Sequence, residues 1–347
     1  MRIIHVSNFE TKNDLAFAYH TARKLSFGLV RLGYAVFDFS DRDVARAEGI
    51  LKHRKFGVGP TNRKLVNACR NIRPHLVLLG HADVIRPDTL AEIRAILPEV
   101  RIAQWNHDAL FVPSNCVKIG RKLDVVDATF VTTAGDELRQ FARPGKIAAY
   151  MPNPVDSSIE SGRAFAEQAP RYDLFFSSRN PHARRMWDGI PTENEAIARQ
   201  LRAALPGRRF ALPGLPGNPH LYGMDYIEAL GGSRIGLNLN IRNDGYLYAS
   251  DRMGHMLGNG VLTTIDRVSG FDRMYREDEA LFYSSAGELV ERIRHFLEHD
   301  QELRETAERG WRRAHAMCDG ARVAKYLVEQ TMQVPLSEAY EWPTETY

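Results

Sequence analysis

Histidine and aspartate side chains follow two of the short apolar runs in this sequence. His81 and Asp83 come shortly after HLVLLG, and His107 and Asp108 come directly after RIAQWN. Because imidazole and carboxylate groups can take up the proton of a reacting hydroxyl, members of both pairs are candidates for a general base. The alternative for the second pair is structural, with Asp108 capping a turn and His107 hydrogen-bonded within ordinary packing.

A second segment with chemical potential is 235–265, whose pattern predicts a strand, a loop, a helix, a turn and a strand. Ser250 or Asp251 is predicted to cap the helix, and Arg252 lies in its first turn. Free N–H groups at a helix start attract a phosphate, and an arginine adds a forked donor. Two loop tyrosines are candidates to stack on a sugar or a base: Tyr246 and Tyr248. An ordinary αβ unit with tyrosines packed under its loop is the alternative.

The elements that would position these residues alternate between short apolar runs and longer amphipathic ones. This alternation predicts parallel sheets covered on both faces by helices. A segment rich in Pro and Ser at 152–171 interrupts it and is predicted to be a linker. Strands are predicted at 2–9, 35–40, 75–80, 101–106, 128–133, 147–152, 172–178, 209–214, 235–240, 261–265 and 280–285. Helices are predicted at 14–33, 61–73, 88–97, 136–142, 192–205, 224–231, 249–258, 286–316 and 321–333.

The resulting fold class is α/β, with two doubly wound domains that face a central cleft. We predict a first domain over 1–155 and a second over 171–320, followed by a helix and tail over 321–347 that cross back to the first. Open parallel sheets bind ligands beyond the carboxyl ends of their strands. Two such domains therefore favour an enzyme with two substrates, one held by each domain.

Several classes of protein are disfavoured by what the sequence lacks. It contains no GxGxxG, GxxxxGK[ST], HExxH or GxSxG motif, so we expect no nicotinamide or flavin, no P-loop hydrolysis and no metal. No apolar run reaches the ~18–20 residues of a membrane span, and the N-terminus lacks the features of a signal peptide. The three cysteines are odd in number and widely spaced, which favours a reducing cytoplasm.

Charge is unevenly distributed along the chain. Residues 1–150 carry 23 Lys and Arg against 15 Asp and Glu, whereas the whole chain has a net charge of only +3. The segment 42–64 alone holds seven basic and two acidic residues. It is predicted to approach a membrane surface or the phosphates of a lipid-linked molecule, unless it is simply a solvated face. Because Phe56 is its single aromatic residue, nucleic acid is not an expected partner.

The chain from about Tyr222 to Ala324 resembles the C-terminal domain of GT-B glycosyltransferases of the group 1 type, and most of all the CgeB-like (spore maturation protein) members. The resemblance lies in IEALGGSRIGLNLN, in YASDRMGHMLGNGVLTTIDRVSGFDRMY and in EDEALFYSSAGELVERIRHFLEHDQELRETAERGWRRA. In such proteins a strand ending in Asn precedes a Ser-x-Arg helix and a glycine-containing turn. The first half agrees in strand order and in fragments such as QWNHD and MPNPVD.

This resemblance implies a cytoplasmic enzyme that moves a sugar from a nucleotide-diphosphate donor to a hydroxyl of a saccharide, lipid-linked or protein acceptor, without a metal. Arg179 would contact the diphosphate, with Arg184 and Arg185 as neighbours of similar potential, and Asn8 would touch the acceptor. Tyr222 and Gly223 would meet the nucleobase. The donor site implied in full comprises Arg179, Arg185, Tyr222, Gly223, Asn240, Tyr246, Tyr248, Ala249, Ser250 and Arg252. A solvated loop for the arginines and a plain turn at Tyr222 are the alternatives.

One departure from the family pattern concerns its acidic residues. Retaining group 1 enzymes often carry two glutamates eight positions apart, and the matching positions here are Leu247 and His255. Two other functions therefore stay open: a sugar-nucleotide epimerase of the same fold, which would convert its donor without an acceptor, and a protein that binds a nucleotide sugar without turnover.

Overall fold

The computed structural model describes residues 1–11, 14–17, 19–178, 180 and 182–347. The chain divides into two compact units. The first comprises Met1–Pro154 together with Gly320–Tyr347, and the second comprises Val155–Asp319. The prediction of two doubly wound α/β units is confirmed, because each contains a parallel sheet flanked by helices.

The first unit is built on a six-stranded parallel sheet with the order β2-β1-β3-β4-β5-β6. Its central strands are continuous apolar runs because helices cover both faces of the sheet. The strands are β1 Arg2–Ser7, β2 Ala35–Ser40, β3 Leu76–Gly80, β4 Arg101–Asn106, β5 Ala128–Val131 and β6 Ile147–Tyr150. The helices between them are α1 Thr21–Arg31, α2 Asp41–Ala47, α3 Arg54–Ile72, α4 Pro87–Ile96, α5 Pro113–Gly120 and α6 Asp136–Arg139.

The second unit contains a five-stranded parallel sheet with the order β10-β7-β11-β12-β13, and a separate antiparallel hairpin of β8 and β9. Its strands are β7 Tyr172–Phe175, β8 Arg184–Trp187, β9 Ile190–Glu193, β10 Phe210–Ala211, β11 Ser233–Gly236, β12 Leu262–Asp266 and β13 Leu281–Tyr283. Its helices are α7 Asn194–Ala204, α8 Gly223–Gly231, α9 Asp251–Gly258, α10 Ala286–Glu298 and α11 Asp300–Met317.

The last helix, α12 (Gly320–Met332), packs against α1 of the first unit. A Cβ atom added at Gly28 would lie 2.2 Å from the carbonyl oxygen of Gly320, so glycine permits this close approach. The end of the chain continues along the sheet edge, where the amide of Tyr347 donates to the carbonyl of Ala148 at 3.0 Å.

Some elements differ from the predicted ones. The segment 152–171 is not an open linker, since Val155 and Glu160 are each only 1% exposed and the amide of Ala164 donates to the carbonyl of Asn259. The helix predicted at 286–316 is divided at His299, whose extended backbone ends α10. No helix in the described part of the chain combines the length and apolar character needed to cross a membrane.

Candidate functional site

Two arginines of the second unit lie close enough to repel each other, although they are distant in sequence. Arg252 lies in the first turn of α9, where its Nη2 donates to the carbonyl of Leu239 at 2.7 Å. Arg185 lies on β8, and the next amide, of Met186, donates to the carbonyl of Asn240 at 2.8 Å. This bond ties the hairpin to the loop that precedes α9, and so brings Arg185 to the start of that helix.

The electrostatics of this arginine pair favour an anionic ligand. Burial lowers the pKa of Arg185, and the neighbouring charge of Arg252 lowers it further, to about 10. Burial likewise lowers the pKa of Arg252. Both side chains stay cationic at neutral pH, yet the Nε atom of each is buried without a hydrogen-bond acceptor among the described residues. Two half-buried like charges with unused donors are stabilised by a bound anion.

Ser250 adds a third unused polar group at the same helix start. It occupies the N-cap position of α9, but its side chain makes no capping bond, and its Oγ is buried without a partner in the described part of the chain. Ser250 thus occupies the predicted cap position, but without the side-chain bond that usually accompanies it. The serine hydroxyl therefore lies unused at the positive end of the helix dipole, a position that favours a phosphate.

The loop residues predicted to touch the donor have mainly structural contacts. The ring of Tyr246 packs over Gly270, where an added Cβ would lie 2.7 Å away, and the Arg273 guanidinium lies 5.6 Å from its centroid. The ring thus has packing partners within the protein, and its stacking on a sugar or a base stays a prediction. Tyr248 and Ala249 are also buried, and Asn240 Nδ2 donates to the carbonyl of Tyr248 at 3.4 Å.

The remaining predicted donor contacts lie at the surface or outside the described residues. Tyr222 is 44% exposed and its ring stacks with His220 at a centroid distance of 6.0 Å. Gly223 begins α8 with a φ of +54°, and an added Cβ would meet no atom within 4 Å. Arg184 is exposed on β8. Arg179 lies outside the described residues.

The two positions that replace the family's glutamates are buried. His255 is 3% exposed, and its Nδ1 lies 3.5 Å from the hydroxyl of Tyr226, a residue that the sequence did not single out. Leu247 is 1% exposed and adopts left-handed backbone with a φ of +55°. Its amide donates to the carbonyl of Ser269 at 2.8 Å, which compensates for the strained conformation.

In the first unit, the fold brings together three of the four candidate bases. His81 follows β3, and His107 and Asp108 follow β4, the adjacent strand of the sheet. The Nδ1 of His81 lies 3.3 Å from Oδ2 of Asp108, and the rings of His81 and His107 meet edge to face at 4.7 Å. One ligand atom from each of these three residues lies within 4.8 Å of the others.

The two candidate aspartates of the first unit, Asp83 and Asp108, differ in what they contact. Burial alone would raise the pKa of Asp108, but its contact with His81 and the positive potential of His81, His107 and Lys118 lower it to about 2. Asp108 is thus an anion at neutral pH with little affinity for a proton. Asp83 forms an ion pair with Arg42 that lowers its pKa despite burial. Asp83 thus differs from Asp108 in having a guanidinium partner, and its role as a rival base stays a prediction.

Residues that the sequence did not single out hold this cluster in place. Lys122, 4% exposed, donates from Nζ to the carbonyl of His81 at 3.0 Å, and His81 itself has a φ of +56°. Thr21 Oγ1 lies 3.1 Å from Nδ1 of His107. Trp105, whose ring contacts both histidines, donates from Nε1 to His5 at 3.1 Å. A buried lysine or a single hydroxyl carries no motif, so only the structure reveals these supports.

Trp105 is fixed by a chain of hydrogen bonds. Burial lowers the pKa of His5 to about 3, so its ring is neutral. Because Trp105 donates to Nε2, the ring proton lies on Nδ1, which donates to Ser26 Oγ at 2.8 Å. Ser26 in turn donates to Asp38 at 2.6 Å. The sequence-predicted acceptor contact, Asn8, lies at the end of β1 and donates from Nδ2 to Glu10 at 2.8 Å.

The chain is similar to known proteins in two comparisons: part of its sequence matches a family model, and its structure matches solved structures over nearly its whole length. Residues 184–329 match a family model described as glycosyl transferase-like, and this range includes the helix start with Arg252. No curated protein sequence matches the chain. The sucrose-phosphate synthase of Thermosynechococcus elongatus is similar in structure, with 12% identity and a TM-score of 0.59 over 96% of this chain and 98% of that one.

Two further solved structures are similar over the whole chain. Anabaena HepE, solved in complex with UDP, has 12% identity and a TM-score of 0.54 over 96% of this chain and 100% of its own. A Listeria monocytogenes protein assigned as a UDP-N-acetylglucosamine 2-epimerase has 9% identity and a TM-score of 0.53 over 96% of this chain and 97% of its own. Likeness at this level of identity establishes the fold, which is GT-B.

Proposed function

We propose that this protein is a glycosyltransferase that moves a sugar from a nucleotide-diphosphate donor to a hydroxyl group. The observation that carries the proposal is the paired cationic site of Arg185 and Arg252, with unused Nε donors beside the unused Ser250 hydroxyl at the start of α9. The glycosyl transferase-like match over 184–329 supports it, because that range contains all three residues.

The donor half of the reaction follows from this site. As the glycosidic bond breaks, negative charge accumulates on the departing diphosphate, and fixed donors in a site with little water stabilise that charge strongly. Two guanidinium groups and the positive end of α9 supply the potential that a divalent ion provides elsewhere. We therefore expect departure of the diphosphate to need no metal.

The acceptor half belongs to the cluster of His81, His107 and Asp108 at the carboxyl ends of β3 and β4. Asp108 is ionised and a weak proton acceptor, so its role is to orient and polarise the adjacent imidazole. The reacting hydroxyl would lose its proton to this cluster. The acceptor is a saccharide, a lipid-linked molecule or a protein, and the donor sugar is a hexose or deoxyhexose in an enzyme of the CgeB-like subtype.

A panel of nucleotides tests the proposal without knowledge of the acceptor. A ligand that binds only the folded protein raises its melting temperature, and at 100 times Kd it adds about 2.7 kcal/mol to the free energy of unfolding. We expect stabilisation by at least one of the UDP, GDP or dTDP series in a thermal-shift measurement. Stabilisation by dinucleotides alone would contradict the proposal.

A sugar-nucleotide epimerase is the second candidate, and the likeness to the Listeria monocytogenes protein favours it. The two candidates differ in what they do to the donor alone. An epimerase converts it to an isomer without releasing the nucleotide, whereas the transferase releases nucleotide diphosphate only when an acceptor is present. Chromatography of the donor after incubation separates them. Donor binding without either product would identify a protein that binds without turnover.

A lipid-borne acceptor is favoured by an exposed tip of the first unit, defined here as residues 50–56. Ile50 and Phe56 are 73% and 63% exposed, and three cations are exposed between them: Lys52, Arg54 and Lys55. Arg54 and Lys55 lie in the first turn of α3, which has no acidic residue. Cations there oppose the helix dipole, so the arrangement costs stability, and an anionic surface would offset that cost.

The helix that follows the tip is held firmly against its neighbours. A Cβ added at Gly57 would lie 1.8 Å from the carbonyl oxygen of Ala45, so α2 and α3 are in direct backbone contact. Asn62 of α3 donates to the carbonyl of Val84 at 2.8 Å, in the loop that carries His81. The tip therefore lies at the sheet edge where strands end, and we propose that it rests on the anionic cytoplasmic face of a membrane.

Vesicle co-sedimentation tests this surface. We expect the protein to bind vesicles of phosphatidylcholine with phosphatidylglycerol and not vesicles of phosphatidylcholine alone. Each cation near such a surface contributes about 1 kcal/mol, so the triple change of Lys52, Arg54 and Lys55 to Ser should weaken binding at least about 100-fold. Val117→Ser, at an exposed apolar site of the same unit, is the control. Equal binding by the triple variant would exclude the tip.

A further inference from the structure

The cluster of His81, His107 and Asp108 contains a contact that ordinary hydrogen bonding does not satisfy. The amide of Asp108 donates to Oδ1 of Asn106 at 2.7 Å, which fixes the orientation of the Asn106 side chain. Its Nδ2 group therefore faces Nδ1 of His81, 3.2 Å away, while Oδ2 of Asp108 lies 3.3 Å from the same nitrogen. One ring nitrogen thus faces both a donor and an anion.

Neither protonation state of His81 Nδ1 suits both neighbours. Without a proton, its lone pair accepts from Asn106 but faces the Asp108 carboxylate, which also offers only lone pairs. With a proton, it donates to Asp108 but meets the N–H groups of Asn106. A cation held between Nδ1 and Oδ2 gives both lone pairs a partner.

The distances fit a small divalent ion. Ligands about 2.0–2.1 Å from a tetrahedral zinc ion lie roughly 3.3–3.4 Å apart, and His81 Nδ1 and Asp108 Oδ2 are separated by 3.3 Å. The third ligand atom, from His107, lies within 4.8 Å of the others. We propose that His81, His107 and Asp108 bind a divalent transition-metal ion of the Zn²⁺ or Co²⁺ type, with its remaining coordination position open.

The surroundings of the three ligands resemble the support that metal sites require. Thr21 Oγ1 contacts Nδ1 of His107 at 3.1 Å, a bond that holds this ring in place. Lys122 holds the His81 carbonyl and so maintains the left-handed backbone at φ +56°. Two imidazoles and one carboxylate favour Zn²⁺ or Co²⁺ over Mg²⁺ or Ca²⁺. The positive potential of Lys118 opposes binding, so we expect a micromolar Kd.

The sequence predicts no metal because its histidines are not in a metal motif. His81 and His107 belong to different strands, and parallel pairing of β3 with β4 brings their ends together. The inference rests on this geometry and not on the proposed transfer reaction. An ion here would also lower the pKa of a bound acceptor hydroxyl, which deepens the proposed role of the cluster. The ion concerns the acceptor half alone, so it leaves the arginine-based account of the diphosphate unchanged.

The test is direct titration of the chelator-treated full chain with ZnCl₂ by calorimetry and with CoCl₂ by visible absorption. We expect one ion per chain and the intense absorption of low-symmetry Co²⁺. His81→Ala and His107→Ala each remove a ligand and should weaken binding of the ion more than about 100-fold. Thr21→Val removes only a contact to His107 and should weaken binding about tenfold. Asp108→Asn, which keeps the shape of the side chain, should also weaken binding more than tenfold.

The control is the exposed pair His295 and His299, whose rings stack at 4.2 Å near Glu302. His295→Ala/His299→Ala should bind the ion as the wild type does. Loss of binding in this variant, or unchanged binding in Asp108→Asn and His81→Ala, overturns the proposal, as does the absence of binding by the wild type. Titration of the same metal-free samples with UDP distinguishes failure of the metal site from failure of the proposed function. If the protein binds UDP but no metal, the metal site is refuted and the proposed function is unaffected.

Discussion

The two candidate sites differ in how their charges are compensated. In the second unit, Arg185 and Arg252 carry like charges whose Nε donors have no acceptor among the described residues. In the first unit, histidines surround an ionised Asp108, and Asp83 is paired with Arg42. An excess of positive charge favours a polyanion, whereas a mixed cluster favours proton transfer or a small cation. This difference supports our proposal that the second unit binds the donor and the first unit the acceptor.

The largest expected effect separates these roles. Asp108→Asn keeps the size of the side chain but removes the anion beside His81, so we expect the rate of transfer to fall about 10²–10⁴-fold. Donor affinity should stay nearly unchanged, because Asp108 belongs to the other unit. Release of nucleotide diphosphate across a panel of acceptors measures the rate, and calorimetry measures the affinity. Wild-type turnover in this variant would remove Asp108 from the reaction.

A second variant tests the arginine pair, which we propose binds the diphosphate of the donor. Arg252→Ala should weaken binding of a nucleoside diphosphate about 100-fold, because charge-assisted bonds to a buried phosphate contribute about 1.5–3 kcal/mol each. Binding of the matching nucleoside should change little. Arg252→Lys, which keeps the charge but loses the fork, should give an intermediate loss. Arg199→Ala, at an exposed position on α7, is the control. Equal losses for nucleoside and diphosphate would remove Arg252 from the phosphate role.

The same comparison explains how much the sequence could predict. The start of α9 is local, so a Ser-x-Arg pattern beside a predicted helix indicates a phosphate site without tertiary information. Arg185 was harder to place, because the hairpin of β8 and β9 gave no clear strand pattern and its tie to Asn240 is a tertiary contact. The parallel sheets were predictable from their apolar runs.

In the first unit, the sequence predicted the candidate bases only as alternatives to one another and not as one cluster. His81 and Asp108 come from different strands, and their pairing depends on the register of β3 and β4. The ion pair of Asp83 depends on Arg42, and the support of His81 depends on the buried Lys122. At Ser250 the residue type predicted the N-cap position, whereas the missing side-chain bond is a detail of geometry that the sequence pattern does not carry.

A smaller effect, on the free energy of unfolding, is expected at Asp41, a buried carboxyl group of the first unit. Burial raises the pKa of Asp41 to about 6, against the lowering effects of Arg42 and of backbone N–H groups. Because the folded chain holds this proton more tightly than the unfolded chain, the free energy of unfolding falls as pH rises from about 4 to about 6. Asp41→Asn should therefore stabilise the protein by about 2–3 kcal/mol above pH 6.

The pH dependence of that gain is its control. Below pH 4 the wild-type carboxyl is protonated, so Asp41→Asn and the wild type should unfold at the same denaturant concentration. Lys122 and Asp83 also contribute to the potential at Asp41, but both are retained in the variant. A constant difference between the two proteins from pH 4 to pH 8 would show that the ionised form of Asp41 is not the source of the instability.

The smallest effect tests whether the start of α9 is built for a ligand or for helix stability. A serine that caps a helix through its side chain typically contributes about 1 kcal/mol, which its replacement by alanine removes. Ser250 makes no such bond, so Ser250→Ala should leave the free energy of unfolding of the ligand-free protein unchanged. It should nevertheless weaken UDP binding several-fold, because a hydroxyl bond to a phosphate contributes about 1 kcal/mol. Thermal unfolding with and without UDP measures both quantities. A destabilised free protein with unchanged UDP affinity would make Ser250 an ordinary cap and leave the second unit with the arginine pair as its anion site.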